Sequence, residues 1–402
     1  MHNAFFKLIV LVCIVAASPT VVSQQLTIRQ VDSLSWKYFQ EQNWDALIRT
    51  GREAHREQID FKWLRQRLGY AWLMKGNYYK SKQQYRYALA FDEKDEISRL
   101  YLYFTNRATG HHLAARYHAS RLPVNLQTQH SIPRTRWLNS LDAEYSYKRP
   151  EAFFRDNDLR GDGSYRRIGL HSFPAYRLSV YQSLSGFQQS TEWGNFTHQL
   201  EYMGSIHAQV TASLTAQVGY RYVGSRYTLL PDSFYLPGQQ LAFRLDYQLS
   251  RFDLALSASR YSNNFLKVGQ WGAHWGVGFS IPTPIYLRSA VFLMQEAWAD
   301  PTGPDNPRIV FNQTLGAMLW KNRLWAELSA TMGNQNYFTS ADGMYFYNAL
   351  DPVRQRFGAQ LTVFINQHLS ASLHYGLEKK YIYLLDEHYY QQALTGGIVW
   401  IL

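Results

Sequence analysis

The side chains that could do chemistry are spread along the chain rather than gathered. His171 and Ser172 are adjacent, and a base beside a hydroxyl is the minimum for nucleophilic hydrolysis. Neighbours on an extended strand face opposite sides, however, so the pair cannot form a relay. His111-His112 reads as a helix-turn feature rather than a metal site. Asp156-Asn157-Asp158-Leu159-Arg160-Gly161-Asp162 offers oxygen ligands at three positions of a calcium loop, but Arg160 stands where another oxygen is needed. A hydrated loop tip is the simpler reading. No HExxH, GxSxG or Walker loop occurs. These patterns predict no enzyme, no metal and no cofactor.

A second set of charges alternates with apolar residues. Asp142, Glu144, Glu201, Asp246, Glu327 and Glu378 share one face of their segments with Lys148, Arg177, Arg221, Arg244, Arg288, Arg354, Arg356 and Lys380. Around them, Leu241, Phe243, Leu245 and Tyr247 alternate with Gln240, Arg244, Asp246 and Gln248. Leu369, Ala371, Leu373 and Tyr375 likewise alternate with Ser370, Ser372, His374 and Gly376. Such alternation puts grease on one strand face and polar groups on the other. Many segments of about ten residues in this pattern predict a transmembrane β-barrel with the charges inside. The lumen then has two readings: a water-filled passage, or a bore closed by ion pairs and inward-folded loops. A narrow or gated passage is favoured.

The N-terminus fits such a destination. Residues 1–23 have the form of a secretory signal: Lys7, an apolar run from Leu8 to Ala17, and Val21-Val22-Ser23 as a cleavage site. The run is too short for a spanning helix. The only cysteine, Cys13, lies inside it behind Val12, so neither lipidation nor disulfides are expected. The charge of +11 is uneven. Residues 24–136 hold 19 Lys and Arg against 10 Asp and Glu, and residues 137–402 hold 21 against 20.

That basic first part has a period of 34. Leu34, Leu68 and Leu102 fall in register, as do Trp36, Tyr70 and Phe104, and Ala54, Ala88 and Leu122. Leu68-Gly69, Trp72, Ser81, Tyr85 and Ala88 occupy large and small packing positions, with Gly76-Asn77 and Gly110-His111 at the turns. The period and texture resemble the tetratricopeptide (TPR) helix pair, over 24–122. By that resemblance Trp36, Tyr70 and Phe104 line a groove with Arg29, Gln66 and Arg107 nearby. The column is either a ligand-stacking ladder or packing between repeats. Residues 123–136, bracketed by Pro123 and Pro133, are expected to be a linker.

Parity sets the barrel. Short turns fall near 211–213, 249–251, 281–284, 321–323 and 366–368, and longer links near 224–238, 262–269, 298–307, 334–352 and 383–391. A first strand at Trp137–Lys148, an outer loop at 149–163 and a turn at Phe173-Pro174-Ala175 complete an up-and-down barrel over 137–402. The count is fourteen, within a range of twelve to sixteen. The fold expected is thus α + β multidomain: a TPR-like α-solenoid followed by an antiparallel transmembrane β-barrel. The loop 334–352 carries Tyr337, Phe338, Met344, Tyr345, Phe346 and Tyr347 around Asp342. Its rings suit sugar stacking, an interfacial girdle or a packed plug.

Signal, helical repeat and barrel together resemble exopolysaccharide exporters of the PgaA type and the YaiO-like outer-membrane barrels. That resemblance implies an outer-membrane location with the helical domain and C-terminus in the periplasm. It also implies an anionic polysaccharide, or a periplasmic or outer-membrane protein, as partner of the basic repeat, with lipid around the barrel and no nucleic acid. The rival is a closed barrel that anchors a scaffold.

Overall fold

The computed structural model describes residues 26–191, 195–229, 232–280, 284–299, 307–320, 323–340, 343–348, 351–383 and 385–402. The predicted signal, Cys13, Asp342 and the turns at 281–283 and 321–322 lie outside these residues.

Helices α1 (Ile28–Gln40), α2 (Trp44–Arg56), α3 (Lys62–Met74), α4 (Tyr78–Phe91), α5 (Glu96–Ala108) and α6 (His112–Ala119) form three antiparallel pairs. The 34-residue register is visible in the turns. Gln42, Gly76 and Gly110 all have positive φ, at 53°, 71° and 79°, where glycine is the least strained residue. Asn43 and Asn77 follow them and cap the next helix by accepting from Ala46 N and Lys80 N. Within the second pair, Gly69 lies against the Tyr85 ring, and between the first and second pairs Gly51 lies against Leu68. Val31, Leu47, Ala54, Leu64, Leu68 and Ala71 form one buried cluster.

The expected linker is not extended. It holds a short helix, α7 (Val124–Gln129). Leu126 and Ile132 join the Tyr103, Ala115, Ala119 and Leu122 cluster, so apolar side chains keep this stretch on the helical domain.

The barrel strands are β1 (Arg136–Pro150), β2 (Arg160–Ala175), β3 (Leu178–Thr191), β4 (Phe196–Gln209), β5 (Leu214–Leu229), β6 (Asp232–Leu249) and β7 (Phe252–Asn263). They continue as β8 (Leu266–Ser280), β9 (Pro284–Trp298), β10 (Arg308–Trp320) and β11 (Leu324–Met332). Inside one link lies a small hairpin, β12 (Phe338–Thr339) and β13 (Phe346–Tyr347). The wall resumes with β14 (Val353–Phe364), β15 (Leu369–Ile382) and β16 (Glu387–Ile401). Each wall strand pairs antiparallel with its neighbours, and β1 pairs with β16 through Tyr145↔Gly396, closing a fourteen-stranded barrel. Closure leaves no open edge.

Alternation holds along the wall. Leu241, Phe243 and Leu245 are 52%, 56% and 51% exposed on the outside, while Gln240 and Gln248 are buried inside. So many outward apolar side chains are stable only against lipid, since water penalises them by about 25 cal/mol per Å².

Four expectations on connections need correction, one of them the link at 383–391, where strand pairing reaches Ile382↔Glu387. The β2–β3 turn lies at Tyr176-Arg177, not at Phe173-Pro174-Ala175, because a register shift between Ser172 and Ala175 lets the strand run through Pro174. Residues 224–229 and 232–238 are strand rather than loop: pairing continues from Gly224↔Pro237 to Leu229↔Asp232. The link 262–269 shrinks to a tight turn, since Asn263 Oδ1 accepts from Phe265 N and Leu266 N. By contrast, 149–163 carries the one-turn helix α8 (Ala152–Asp156).

Candidate functional site

The helical domain docks against one mouth of the barrel. Tyr79, Lys82 and Arg86 lie on one face of α4, at helical spacing. The Tyr79 ring rests on Gly278 of β8, where a Cβ would collide with its Oη and Cζ. Arg86 Nη2 donates to Gln248 Oε1 at 3.3 Å. His111 stands where Asn43 and Asn77 stand in the earlier turns, but caps nothing. Instead its Nε2 reaches Asp253 Oδ1 at 3.2 Å. At the rim, the Arg177 guanidinium lies 4.6 Å from the Tyr117 ring centre and that of Arg116 lies 4.4 Å from Phe173. Tyr176 Oη donates to Gln127 Oε1 at 2.6 Å. Cationic and aromatic side chains thus make most of this seam.

Burial perturbs the groups beneath it. Lys82 is fully buried, and among the described residues its Nζ has no hydrogen-bond partner. Desolvation and the Arg86 charge pull its ammonium down to about 7, against the pull of Asp253. His111 is lowered by burial, partly offset by Asp253. His118, buried with both ring nitrogens unpartnered, is pushed down to about 3 by desolvation and then by surrounding cations led by Arg99.

The far half of the bore is filled by the β12–β13 hairpin. Thr339 N donates to Gln270 Oε1 and Gln270 Nε2 donates to Thr339 O, each at 3.0 Å. Gln240 Nε2 donates to Thr339 Oγ1 at 2.6 Å. Arg221 Nη2 donates to the carbonyls of Gly343 and Met344 at 2.7 and 3.1 Å. Phe338 and Phe346 pack with Tyr261, Phe292, Val268 and Met294 in a buried apolar cluster. Asp351, at the foot of the hairpin link, is held by Arg160 Nε at 2.5 Å and Tyr389 Oη at 2.8 Å. The calcium-loop candidate therefore spends its Arg160 on closing this link.

Between docked helices and hairpin lies a chamber of about 1190 Å³. Arg107, His111 and His112 line it from the helical side. Asp142, Arg167, His171, His207, Arg244, Asp246, Asp253, His274 and Arg288 line it from the wall, and Met344 from the hairpin.

The predicted lumen residues fall into three groups. Some form ion pairs on the inner wall: Glu201 with Arg221 at 3.0 Å, Arg244 with Asp246 at 2.7 Å, and Glu144 with Arg167 at 2.9 Å. Glu378 meets Arg356, Lys148 and Lys380 at 3.1, 3.7 and 3.9 Å. Arg288 lies over the Tyr286 ring at 4.9 Å, and Glu327 sits opposite Gly316 and Gln360. Two leave the lumen. Arg177 is in the β2–β3 turn, and Arg354 sits at a register shift that turns its guanidinium onto the Tyr381 ring, 5.1 Å away.

Loop candidates Tyr337, Phe338, Tyr345 and Tyr347 are inside the bore. Tyr337 stacks on Tyr261 at 5.4 Å, Tyr345 Oη donates to Glu144 at 2.8 Å, and Arg356 covers Tyr347 at 3.6 Å. Of the groove candidates, Tyr70 touches Phe39, Trp44 and Tyr101, with ring centres 5.4, 5.6 and 5.7 Å away, and Tyr101 continues to Phe104 at 6.4 Å. Trp36 stacks on Phe39 at 5.8 Å and lies under Arg67 at 5.1 Å. Gln66 is buried, its amide donating to Asp95 at 2.6 Å. Arg107 donates to Tyr103 Oη at 3.1 Å, and Arg29 is exposed. His171 faces the chamber, whereas Ser172 Oγ donates to Val180 O at 3.4 Å.

Tyr79, Lys82, Asp253 and Gln270 were not singled out in the sequence. One signal did exist: His111 breaks the Asn43–Asn77 cap series at its third term.

A lipid-facing, closed, even-stranded antiparallel barrel behind a TPR-like repeat defines an outer-membrane-type β-barrel protein. No family model and no curated protein matches the chain. Among solved structures it is similar to the CymD monoaromatic hydrocarbon channel, at 10% identity and TM-score 0.44, over 69% of this chain and 91% of that one. It is also similar to a bacterial polysaccharide outer membrane secretin, at 11% identity and TM-score 0.40, over 66% of this chain and 99% of that one. A mutant of MamA overlaps 23% of this chain and 69% of its own, at 19% identity and TM-score 0.22.

Proposed function

We propose that the chain is a gated outer-membrane export barrel. Its helical domain lies in the periplasm and receives an anionic glycan or an envelope protein, and its bore gives the glycan passage. The observation that carries this reading is the chamber itself. A space of about 1190 Å³, lined by charged side chains set among apolar and aromatic ones, lies between two removable closures, the docked helices and the inward hairpin. Neither closure is part of the barrel wall, so each can move without breaking the ladder. The excess of basic residues on the helical side favours an anionic cargo.

The rival, a closed barrel anchoring a helical scaffold, draws on the far half of the bore. There Tyr261, Phe292, Phe338 and Phe346 pack as a protein interior does. Planar-bilayer conductance separates the two. The export reading expects low conductance from the intact chain and a step increase when residues 337–347 are excised. Silence from the excised chain, with the helices also released, would leave the anchor. Salt-sensitive capture of an acidic glycan by the full-length protein tests the cargo.

A further inference from the structure

The export reading leaves the ligand of the chamber unspecified, and the following rests on that reading. Most charges on the chamber wall are already neutralised. Arg167 is held by Asp142 at 3.4 Å and by Glu144, and Arg244 by Asp246. Two cations differ. Arg288 has only the Tyr286 ring beneath it, at 4.9 Å. Arg107 has only the hydroxyl and ring of Tyr103. Among the described residues neither has a carboxylate partner, and both line the chamber, one from the wall and one from the docked helices. The Tyr286 hydroxyl beside Arg288 is buried and also unpartnered.

An aromatic face beneath a guanidinium holds its fork flat and ready for a planar anion. The volume is far larger than a simple anion needs and suits a ligand of several rings. Glutamine, serine, threonine and histidine side chains stand beside apolar faces such as Phe173, Tyr181 and Tyr286, a mixture that suits the hydroxyls and the C–H faces of sugar rings. We infer that the chamber is a binding site for a short stretch of carboxylate-bearing saccharide. Arg288 grips a sugar carboxylate from the wall, and Arg107 grips another from the helical side. Because the two grips belong to different domains, the ligand also ties the helices to the barrel.

Calorimetry on the full-length protein in nanodiscs tests this, with tetragalacturonate against maltotetraose, on the intact chain and on the chain lacking residues 337–347. The acidic tetrasaccharide should bind and the neutral one much less. Arg288→Gln and Arg107→Gln should each weaken it by about tenfold, the scale of one charge-assisted contact. Arg149→Gln, exposed on the far rim, should bind as the parent does. The two substitutions lie in different domains, so a folding defect in one does not blunt the other. Equal binding of both sugars, no binding even with the hairpin removed, or indifference to both arginine substitutions would overturn the site. Conductance is read separately. A conducting barrel that ignores tetragalacturonate keeps the passage and loses the site, and a silent barrel that binds it does the reverse.

Discussion

The ring of Tyr79 on α4 rests on the Cα of Gly278 on β8, a knob from one domain seated in a gap in the other. Glycine is required there by space, not by backbone conformation. Val in place of Gly278 would push out the ring, and with it the helix face that carries Lys82 and Arg86. The ladder of β8 with β7 and β9 does not depend on that side chain. Gly278→Val should therefore leave the barrel folded and release the helical domain. Faster proteolysis of the helices, with an unchanged strand signal in circular dichroism, is the expected result. On the export reading the same variant raises conductance further in the chain lacking residues 337–347. Tyr79→Ala should repeat the effect, with loss of about 2–4 kcal/mol of packing.

The hairpin has its own fastening. Gln270 satisfies both the N–H and the carbonyl of Thr339. Gln270→Ala strips both partners from a buried backbone, and each orphaned group costs about 1–3 kcal/mol. The hairpin should then exchange its amide hydrogens faster while wall strands keep their protection. Gln270→Glu can still accept from Thr339 N but places an acceptor against Thr339 O, so it should loosen the hairpin too. Equal exchange in the parent and Gln270→Ala would mean that the Phe338 and Phe346 packing alone holds the plug.

Much of this architecture was legible because it is periodic. The two-residue alternation disclosed the wall and its fourteen strands, and the 34-residue spacing disclosed the helix pairs. Two of the misplaced connections had one cause. Pro174 and Pro237 look like breaks, yet a register shift and a long antiparallel pairing carry the strands through them. Contacts across the domains left almost no trace, because Tyr79 and Gly278 are linked by packing and not by spacing. The hairpin rings were legible as aromatic but not as inward. A loop's direction depends on partners such as Gln270 and Arg221, which lie on distant strands.

Lys82 makes the docked state sensitive to pH. Its ammonium releases its proton at about 7 when buried, against about 10.4 in water. Between those values the freed or unfolded helix holds one more proton than the docked form. The docked form therefore gains stability as pH rises from about 7 toward 10, and below about 7 the burial penalty is fully present. The groups facing Lys82 are Arg86 and Tyr79 on its own helix, His111 on the next turn, His118 on α6 and Asp253 on the wall. Lys82→Met removes the titration while keeping the side-chain length. It should raise the melting point of the helical signal at pH 7 and flatten its rise toward pH 10. An unchanged slope would assign the dependence to another group.

Asp351 offers the sharpest test of how the hairpin link is rooted. Its carboxylate takes Nε and Nη2 of Arg160 at 2.5 and 2.8 Å, and Tyr389 Oη at 2.8 Å. All three residues are buried. Asn in its place keeps the shape but removes the charge opposite a buried guanidinium, which costs about 3–5 kcal/mol when no carboxylate replaces it. Arg160 also donates to Leu159 O at 2.6 Å, so part of its hydrogen bonding survives and the lower end of that range applies. The lost bond frees the start of β14 and the segment after α8 together, because Arg160 and Asp351 join them across the far rim. Hydrogen exchange should thus rise in both segments in Asp351→Asn, and Arg160→Met with Asp351→Leu should recover protection by replacing the pair with apolar contact. If exchange rises only near Asp351, the ion pair is local to its loop and does not brace the rim.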